Sequence, residues 1–265
     1  MVSVRATKTK KEIGFSREGI EQAAGVATDV YECLDSTNTE ARRRIMAGDC
    51  GPRLIVAKAQ SAGRGRFGRA FYSPPGSGVY MTLYWPVGGR CDVSAVSAVT
   101  IRAAVAVAEA LEAATGEVFG IKWVNDIFRN GKKVCGILAE SVGDAVTGQT
   151  AAFMVGIGIN ITTSAFPPEL HGIAGAVSDT PLDAGALIGG VISRFLTLQR
   201  APGDYMEEYR RRSVVLGRDV MTVCGEISLP GRVVAIEDDG SLLVERPDGR
   251  REKISAGEVS LRGNF

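Results

Sequence analysis

The sequence predicts an α+β fold: a mixed β-sheet with helices, followed by a small SH3-like β-barrel. Two observations carry that reading. Up to about residue 213, β-branched apolar runs are interleaved with long helical segments. From Val214 the texture changes to short alternating strands separated by the turn signals LPG, DDG and PDG. A chain of 265 residues can hold one large domain and a small one. The expected division is a short N-terminal extension over 1–30, a catalytic-sized domain over 31–213 and a β domain over 214–265.

The elements follow in order. SREGIEQAA makes about two helical turns with Ser16 as N-cap. DSTNTEARRRIMAG offers Asp35 and Ser36 as caps and Gly48 as a stop. RLIVAKA (53–59) is β-branched and leads into SAGRGRFGRAF (61–71), and VYMTLYW (79–85) alternates after the turn SPPGSG. Asp92 to Gly116 is alanine-rich, with Val96, Val99 or Thr100, Val107 and Leu111 on one helical face. EVFGIKW (117–123) is a strand. Two apolar runs around Asn130-Gly131 form a hairpin with a type I′ turn. AAFMVGIGINI (151–161) is a buried strand, and helices follow near 182–199 and 203–212.

Composition excludes several classes of function. Apolar residues are 45% and charged residues 23%, and the net charge is +1, so no global field draws the chain to nucleic acid or membrane. No apolar run spans a bilayer and the first residues lack a signal-peptide core, so a cytoplasmic location is expected. The five cysteines (Cys33, Cys50, Cys91, Cys135, Cys224) include no CxxC pair, which argues against a disulfide framework or a zinc site. His171 is the only histidine and falls in a loop, so histidine-based catalysis is not expected.

Positive charge and backbone freedom are concentrated locally instead. Gly63, Gly65 and Gly68 allow close approach to a ligand, while Arg64, Arg66 and Arg69 supply planar forks for carboxylate or phosphate. Taken alone, this loop reads equally as a basic surface loop. KWVND (122–126) places Lys122 at a strand end, followed by Asn125 and Asp126, which are costly to bury unpaired. In GILAE (136–140) and GIGIN (156–160) the glycines suit either a ligand or tight packing.

As an ordered set, STN (36–38), Gln60, GRGRFGR (63–69), KWVND, GILAE and GIGIN resemble the biotin protein ligases, as does GEVSLR (257–262) in the β domain. The resemblance implies a biotin/lipoate ligase-like catalytic domain. It also implies a two-step reaction in which biotin and Mg-ATP give biotinyl-5′-AMP, and the biotinyl group then passes to a lysine of a biotin carboxyl carrier domain. It places Ser36, Thr37, Asn38 and Gln60 at the ureido ring, and Arg64, Gly65 and Arg66 over biotin and the adenylate. Gly136 and Ile137 would form an apolar wall. Lys122, with Arg64 and Arg66, would offset repulsion between carboxylate and triphosphate. Arg69, Phe71, Asn125 and Asp126 fall on the ATP side, and magnesium accompanies the phosphates without a protein metal site being assigned. Two like charges about 4 Å apart repel by ~4 kcal/mol at an effective dielectric constant of about 20, so interposed cations are the central requirement.

Two departures from the family pattern are Val124, where proline is frequent, and Phe71, where tryptophan is frequent. Valine is expected to keep the strand extended, and phenylalanine to stack without an indole donor. The R-R-x-x-G-G-G pattern of lipoate ligases is absent. With only about 30 residues ahead of the motifs, a monofunctional ligase without a DNA-binding unit is expected, binding neither DNA nor membrane. Homodimers are permitted but not demanded. The Gly/Arg loop is expected to be mobile until a ligand orders it, since fixing each residue costs ~1–2 kcal/mol.

Overall fold

The computed structural model describes residues 13–49, 51–87, 93–143, 150–201 and 203–261; Cys50, Cys91 and Arg262 lie outside them. A seven-stranded sheet organises the larger part. Its strands are β1 (Thr28–Tyr31), β2 (Arg53–Ala57), β3 (Gly78–Pro86), β4 (Gly120–Lys122), β5 (Asp126–Arg129), β6 (Lys132–Gly143) and β7 (Thr150–Asn160). Their spatial order is β1-β2-β3-β7-β6-β5-β4, with only the β1–β2 pair parallel.

Strand alternation decides the two faces. Val79, Met81 and Leu83 join the main core, whereas Thr82 and Tyr84 point to the other side of β3. The core face is covered by α1 (Arg17–Ala24), α3 (Val93–Thr115), α4 (Ala184–Arg200) and α5 (Tyr205–Arg212). On the opposite face α2 (Thr37–Met46) packs Ala41 against Ile55, Tyr84, Val142 and Met154. The cavity described below opens on that second face.

The helix boundaries have local causes. Ser16 Oγ accepts from Gly19 N at 3.2 Å, and Gly25 closes α1 at φ 66°. Asp183 accepts from Ala186 N at 2.9 Å to start α4. In α3 burial is wider than the expected single stripe: Ala103, Ala104, Ala106 and Ala108 are all fully buried beside Val107 and Leu111. The helix lies between the sheet and α4, so small side chains are needed on both sides. Around Asn130-Gly131 both residues take positive φ (50° and 73°), as a type I′ hairpin requires.

The smaller part contains β8 (Asp219–Cys224), β9 (Ile227–Ile236), β10 (Leu242–Glu245), β11 (Arg251–Ile254) and β12 (Glu258–Leu261), in the antiparallel order β11-β10-β9-β8-β12. Among the described residues β11 and β12 remain its edges, so the strands form an open sheet and no closed barrel. The described residues 13–30 of the short N-terminal extension pack onto the larger part. Ile20 and Ala24 enter the main core, and β1 pairs with β2 in register from Thr28↔Leu54 to Tyr31↔Ala57.

Candidate active site

The functional residues sit where β6 and β7 run beside one another with glycines opposed. Gly136 pairs with Gly158, and Leu138 with Gly156. Alternation sends Ile137, Ile157 and Ile159 into the core and leaves the glycines as a floor on the other face. A Cβ on Gly156 would lie 1.9 Å from Asn38 Oδ1, and one on Gly158 would lie 2.5 Å from Cε1 of Phe71. These glycines therefore make room for the chain's own Asn38 and Phe71. Above this floor is a cavity of about 380 Å³.

One end of the cavity is polar and uncharged. Gln60 Oε1 accepts from Thr37 N at 2.8 Å, and Gln60 Nε2 donates to Ser73 Oγ at 2.9 Å. Thr82 Oγ1, buried in β3, donates to Asn38 Oδ1 at 2.7 Å and lies 2.8 Å from Thr37 Oγ1. Asn38 Nδ2 donates to Glu140 Oε2 at 2.9 Å. Ser36, Thr37 and Asn38 are buried at the α2 N-terminus, where Ser36 is the N-cap residue but makes no side-chain cap bond. Its own N–H donates to Asp35 Oδ1 at 2.7 Å. The expected cap thus leaves the Ser36 hydroxyl unused by the helix.

The other end is cationic. Lys122 lies at the end of β4, opposite Asp126 in register, with its Nζ 5.6 Å from the centroid of the Phe128 ring. Burial pushes its amine below the ordinary lysine value of 10.5, against the upward pull of Asp126. Arg66 is likewise lowered, by burial first, against Asp126 and Glu258. Its Nη1 donates to Asn125 Oδ1 and its Nη2 to Gly257 O, both at 3.0 Å. Asn125 is fixed in turn by donating to Ile137 O at 2.8 Å. Arg69 makes a two-pronged pair with Glu258 at 2.7 and 2.6 Å.

Every sequence-predicted site residue lines this one cavity: Ser36, Thr37, Asn38, Gln60, Arg64, Gly65, Arg66, Arg69, Phe71, Lys122, Asn125, Asp126, Gly136 and Ile137. Three expectations change in detail. The side chain of Ile137 belongs to the core, so Leu138 and Tyr80 provide the apolar wall, together with Phe71, which was expected on the ATP side and lies over Gly136 and Gly158 of the floor. Val124 is not extended: Lys122↔Asp126 pairing leaves Trp123, Val124 and Asn125 as a tight turn, with a cis Trp123–Val124 peptide. In the loop only Gly68 among the three glycines takes a positive φ (74°), and Phe67 shares that region at 55°. Gly63 is required by proximity, since a Cβ there would lie 2.4 Å from Phe71 O. The loop is tied to the small β domain through Arg66 and Arg69.

Lys133 was not anticipated. Its Nζ lies 2.7 Å from Asp126 Oδ1, an ion pair without an aligned hydrogen bond. A lysine beside a hairpin turn reads as solvated, and strict alternation would put Lys133 and Gly136 on opposite faces. The register shift at Ile127/Phe128 pairs Cys135 and Lys133 with consecutive residues, making Val134 an extra residue that restores Lys133 to the cavity face. Asn160, whose buried Oδ1 has no partner among the described residues, and Glu258 also line the cavity. By contrast, His171 is exposed, with Nε2 2.8 Å from Phe166 O, and is not among the lining residues. Cys135 is buried, its thiol pushed up by desolvation.

A neutral hydrogen-bonding end, an apolar waist and a cationic end, spanned by a Gly/Arg strap, define a class of enzyme that joins a small polar-headed carboxylate to a phosphate-bearing partner. The comparisons make that class specific. The family model described as "Biotin/lipoate A/B protein ligase family" matches residues 30–160, and "Biotin protein ligase C terminal domain" matches residues 222–262. The biotin--[acetyl-CoA-carboxylase] ligase of Paracoccus denitrificans is 33% identical over 243 residues, covering 86% of this chain and 98% of that protein. The bifunctional ligase/repressor BirA of Bacillus subtilis is 32% identical over 246 residues, covering 87% of this chain and 73% of that protein. The chain spans 66% of the BirA of Bacillus spizizenii, also 32% identical. Among solved structures, the biotin protein ligase from Aquifex aeolicus in complex with biotin and ATP superposes with a TM-score of 0.73 at 25% identity, covering 89% of this chain and 98% of that one. The chain belongs to the biotin protein ligase family.

Proposed function

We propose that the protein activates biotin with ATP to biotinyl-5′-AMP and transfers the biotinyl group to a lysine of a biotin carboxyl carrier domain. The observation that carries this reading is the polarity of the cavity, lined by neutral hydrogen-bonding side chains from Ser36, Thr37, Asn38 and Gln60 at the α2 end and by Lys122 and Lys133 at the β4–β6 end, beneath one arginine-bearing loop. Biotin fits that polarity with its ureido ring at Ser36, Thr37, Asn38 and Gln60, its apolar carbons against Leu138, Tyr80 and Phe71, and its carboxylate toward Lys122, Lys133 and Arg66. The carboxylate is itself the nucleophile of the first step, so no side-chain nucleophile is required. Lys122, Lys133, Arg64, Arg66 and Arg69 offset the repulsion between two anions and stabilise charge that develops on the phosphate.

Asp126 stands on the phosphate side with its Oδ1 paired to Lys133 at 2.7 Å, and magnesium would arrive with the phosphates of ATP. Magnesium would neutralise phosphate charge there. The small β domain supports the reading by holding the loop through Gly257 and Glu258. In the second step the acceptor lysine must lose a proton, which costs about 4–5 kcal/mol at pH 7 for an unperturbed amine.

The test is incubation with biotin, ATP, magnesium and a carrier domain, followed by a streptavidin blot, alongside biotin-dependent ATP–pyrophosphate exchange. Exchange driven by lipoate and not by biotin would overturn the reading.

A further inference from the structure

Glu140 ends the GILAE run on β6, beyond the last floor residue, with its side chain 19% exposed. Its two oxygens are divided between partners on α2. Oε2 accepts from Asn38 Nδ2 at 2.9 Å, and Oε1 accepts from Arg42 Nη2 at 3.0 Å. Arg64 Nη2, from the Gly/Arg loop, stands 3.9 Å from the same Oε1, close enough for charge attraction but not for a hydrogen bond. Asn38 Nδ2 also donates to Leu138 O, but at the longer distance of 3.4 Å, so Glu140 is its closer acceptor.

A side-chain amide can present either end to its surroundings, and the two ends have opposite hydrogen-bonding character. A carboxylate can only accept, so Glu140 draws the Asn38 NH2 toward β6. Thr82 Oγ1 then donates to Oδ1 from the other side at 2.7 Å, and Oδ1 rests in the space that a Cβ on Gly156 would fill. Held in this way, Asn38 Oδ1 retains one lone pair for a donor in the cavity, and a ureido ring carries two N–H donors.

We infer that Glu140 is a positioning residue for biotin, locking the Asn38 amide so that its oxygen faces the ureido N–H groups, with Arg42 as its counter-charge. The inference rests on the biotin reading above. A Glu140→Gln side chain has a single acceptor oxygen for two donors, so either Asn38 or Arg42 loses its partner. Arg42→Met leaves the Glu140–Asn38 bond in place and removes only the counter-charge.

The experiment measures biotin affinity by calorimetry for the full chain, with steady-state KM and kcat and a thermal melt for each variant. Wild-type binding is the reference: no biotin binding by the wild type overturns the biotin reading itself. With that binding present, Glu140→Gln weakens biotin roughly tenfold or more, the loss of one charge-assisted hydrogen bond. KM for ATP and kcat at saturating biotin stay within about twofold, and Arg42→Met has the smaller effect. The discriminating arm is a double-mutant cycle with Asn38→Ala. If Glu140 acts through Asn38, Glu140→Gln costs nothing further in that background. Undiminished biotin affinity in Glu140→Gln, or full additivity with Asn38→Ala, overturns the inference. Glu140→Gln preserves shape, and a melt like the wild type's separates positioning from general damage.

Discussion

Lys122 holds its charge where water cannot stabilise it fully, so its ammonium is lost at a lower pH than that of a free lysine. Two consequences have opposite signs. The unfolded chain binds more protons between the lowered value and 10.5, so this residue makes stability rise with pH across that window. In the proposed mechanism activation needs the cation, so adenylation is expected to fall as pH rises through the lowered value. The expected pH profile of ATP–pyrophosphate exchange therefore has an alkaline limb below 10.5, and Lys122→Arg removes that limb because a guanidinium stays protonated. A wild-type profile flat to pH 10.5 would show that this amine is not the cation required. Lys122 and the loop arginines were legible because a charge beside glycines or at a strand end is visible in the sequence. Lys133 was not, since its face depends on a register shift that pairing with β5 imposes.

At the scale of elements, the packing of α5 against α3 turns on Arg212, whose side chain is 3% exposed. It donates to both oxygens of Glu112, at 2.5 and 2.6 Å, and to Glu208 at 2.6 Å. Hydrogen bonds from Arg211 and then Arg212 hold the Glu208 carboxyl down to about 2. Removing the arginine strands two carboxylates, so Arg212→Ala should cost about 3–5 kcal/mol, at about 2–4 °C of melting temperature per kcal/mol. Because the carboxyl is lowered, its contribution is complete above its ordinary 4.5 and erodes as pH falls toward 2. Melts between those values should show the wild type losing stability more steeply than Glu208→Gln. Caps and periodicity made the helices legible, and the Glu208–Arg212 spacing of four is local, but the Glu112 partner lies a hundred positions away and leaves no pattern in the sequence.

For the whole molecule, the question is what makes the β domain part of the active site. Its exposed bond to the loop, Arg69 with Glu258, contributes little to docking because solvent screens it. The buried bond is different. Trp123 Nε1 donates to Gly240 O at 2.8 Å, and Gly240 itself is pressed so closely on α3 that a Cβ would lie 2.2 Å from Ile101 Cδ1. Trp123 begins the turn that carries Asn125, and Asn125 holds Arg66, whose other nitrogen reaches Gly257. Domain docking and loop position are thus one connected set of bonds. Trp123→Phe keeps an aromatic ring but loses the second ring of the indole and leaves the Gly240 carbonyl unpaired, the latter at a cost of about 1–3 kcal/mol and the former adding a packing loss. The expected result is a lower melting temperature with little dependence on salt, together with a higher KM for ATP as Arg66 loses its fixed position. Raising the salt concentration should not reproduce either effect in the wild type, because the bond that matters is buried and uncharged. An unchanged melt and an unchanged KM would mean that the β domain is held by its apolar contacts alone, and that the loop takes its geometry from β6 and β7 without it.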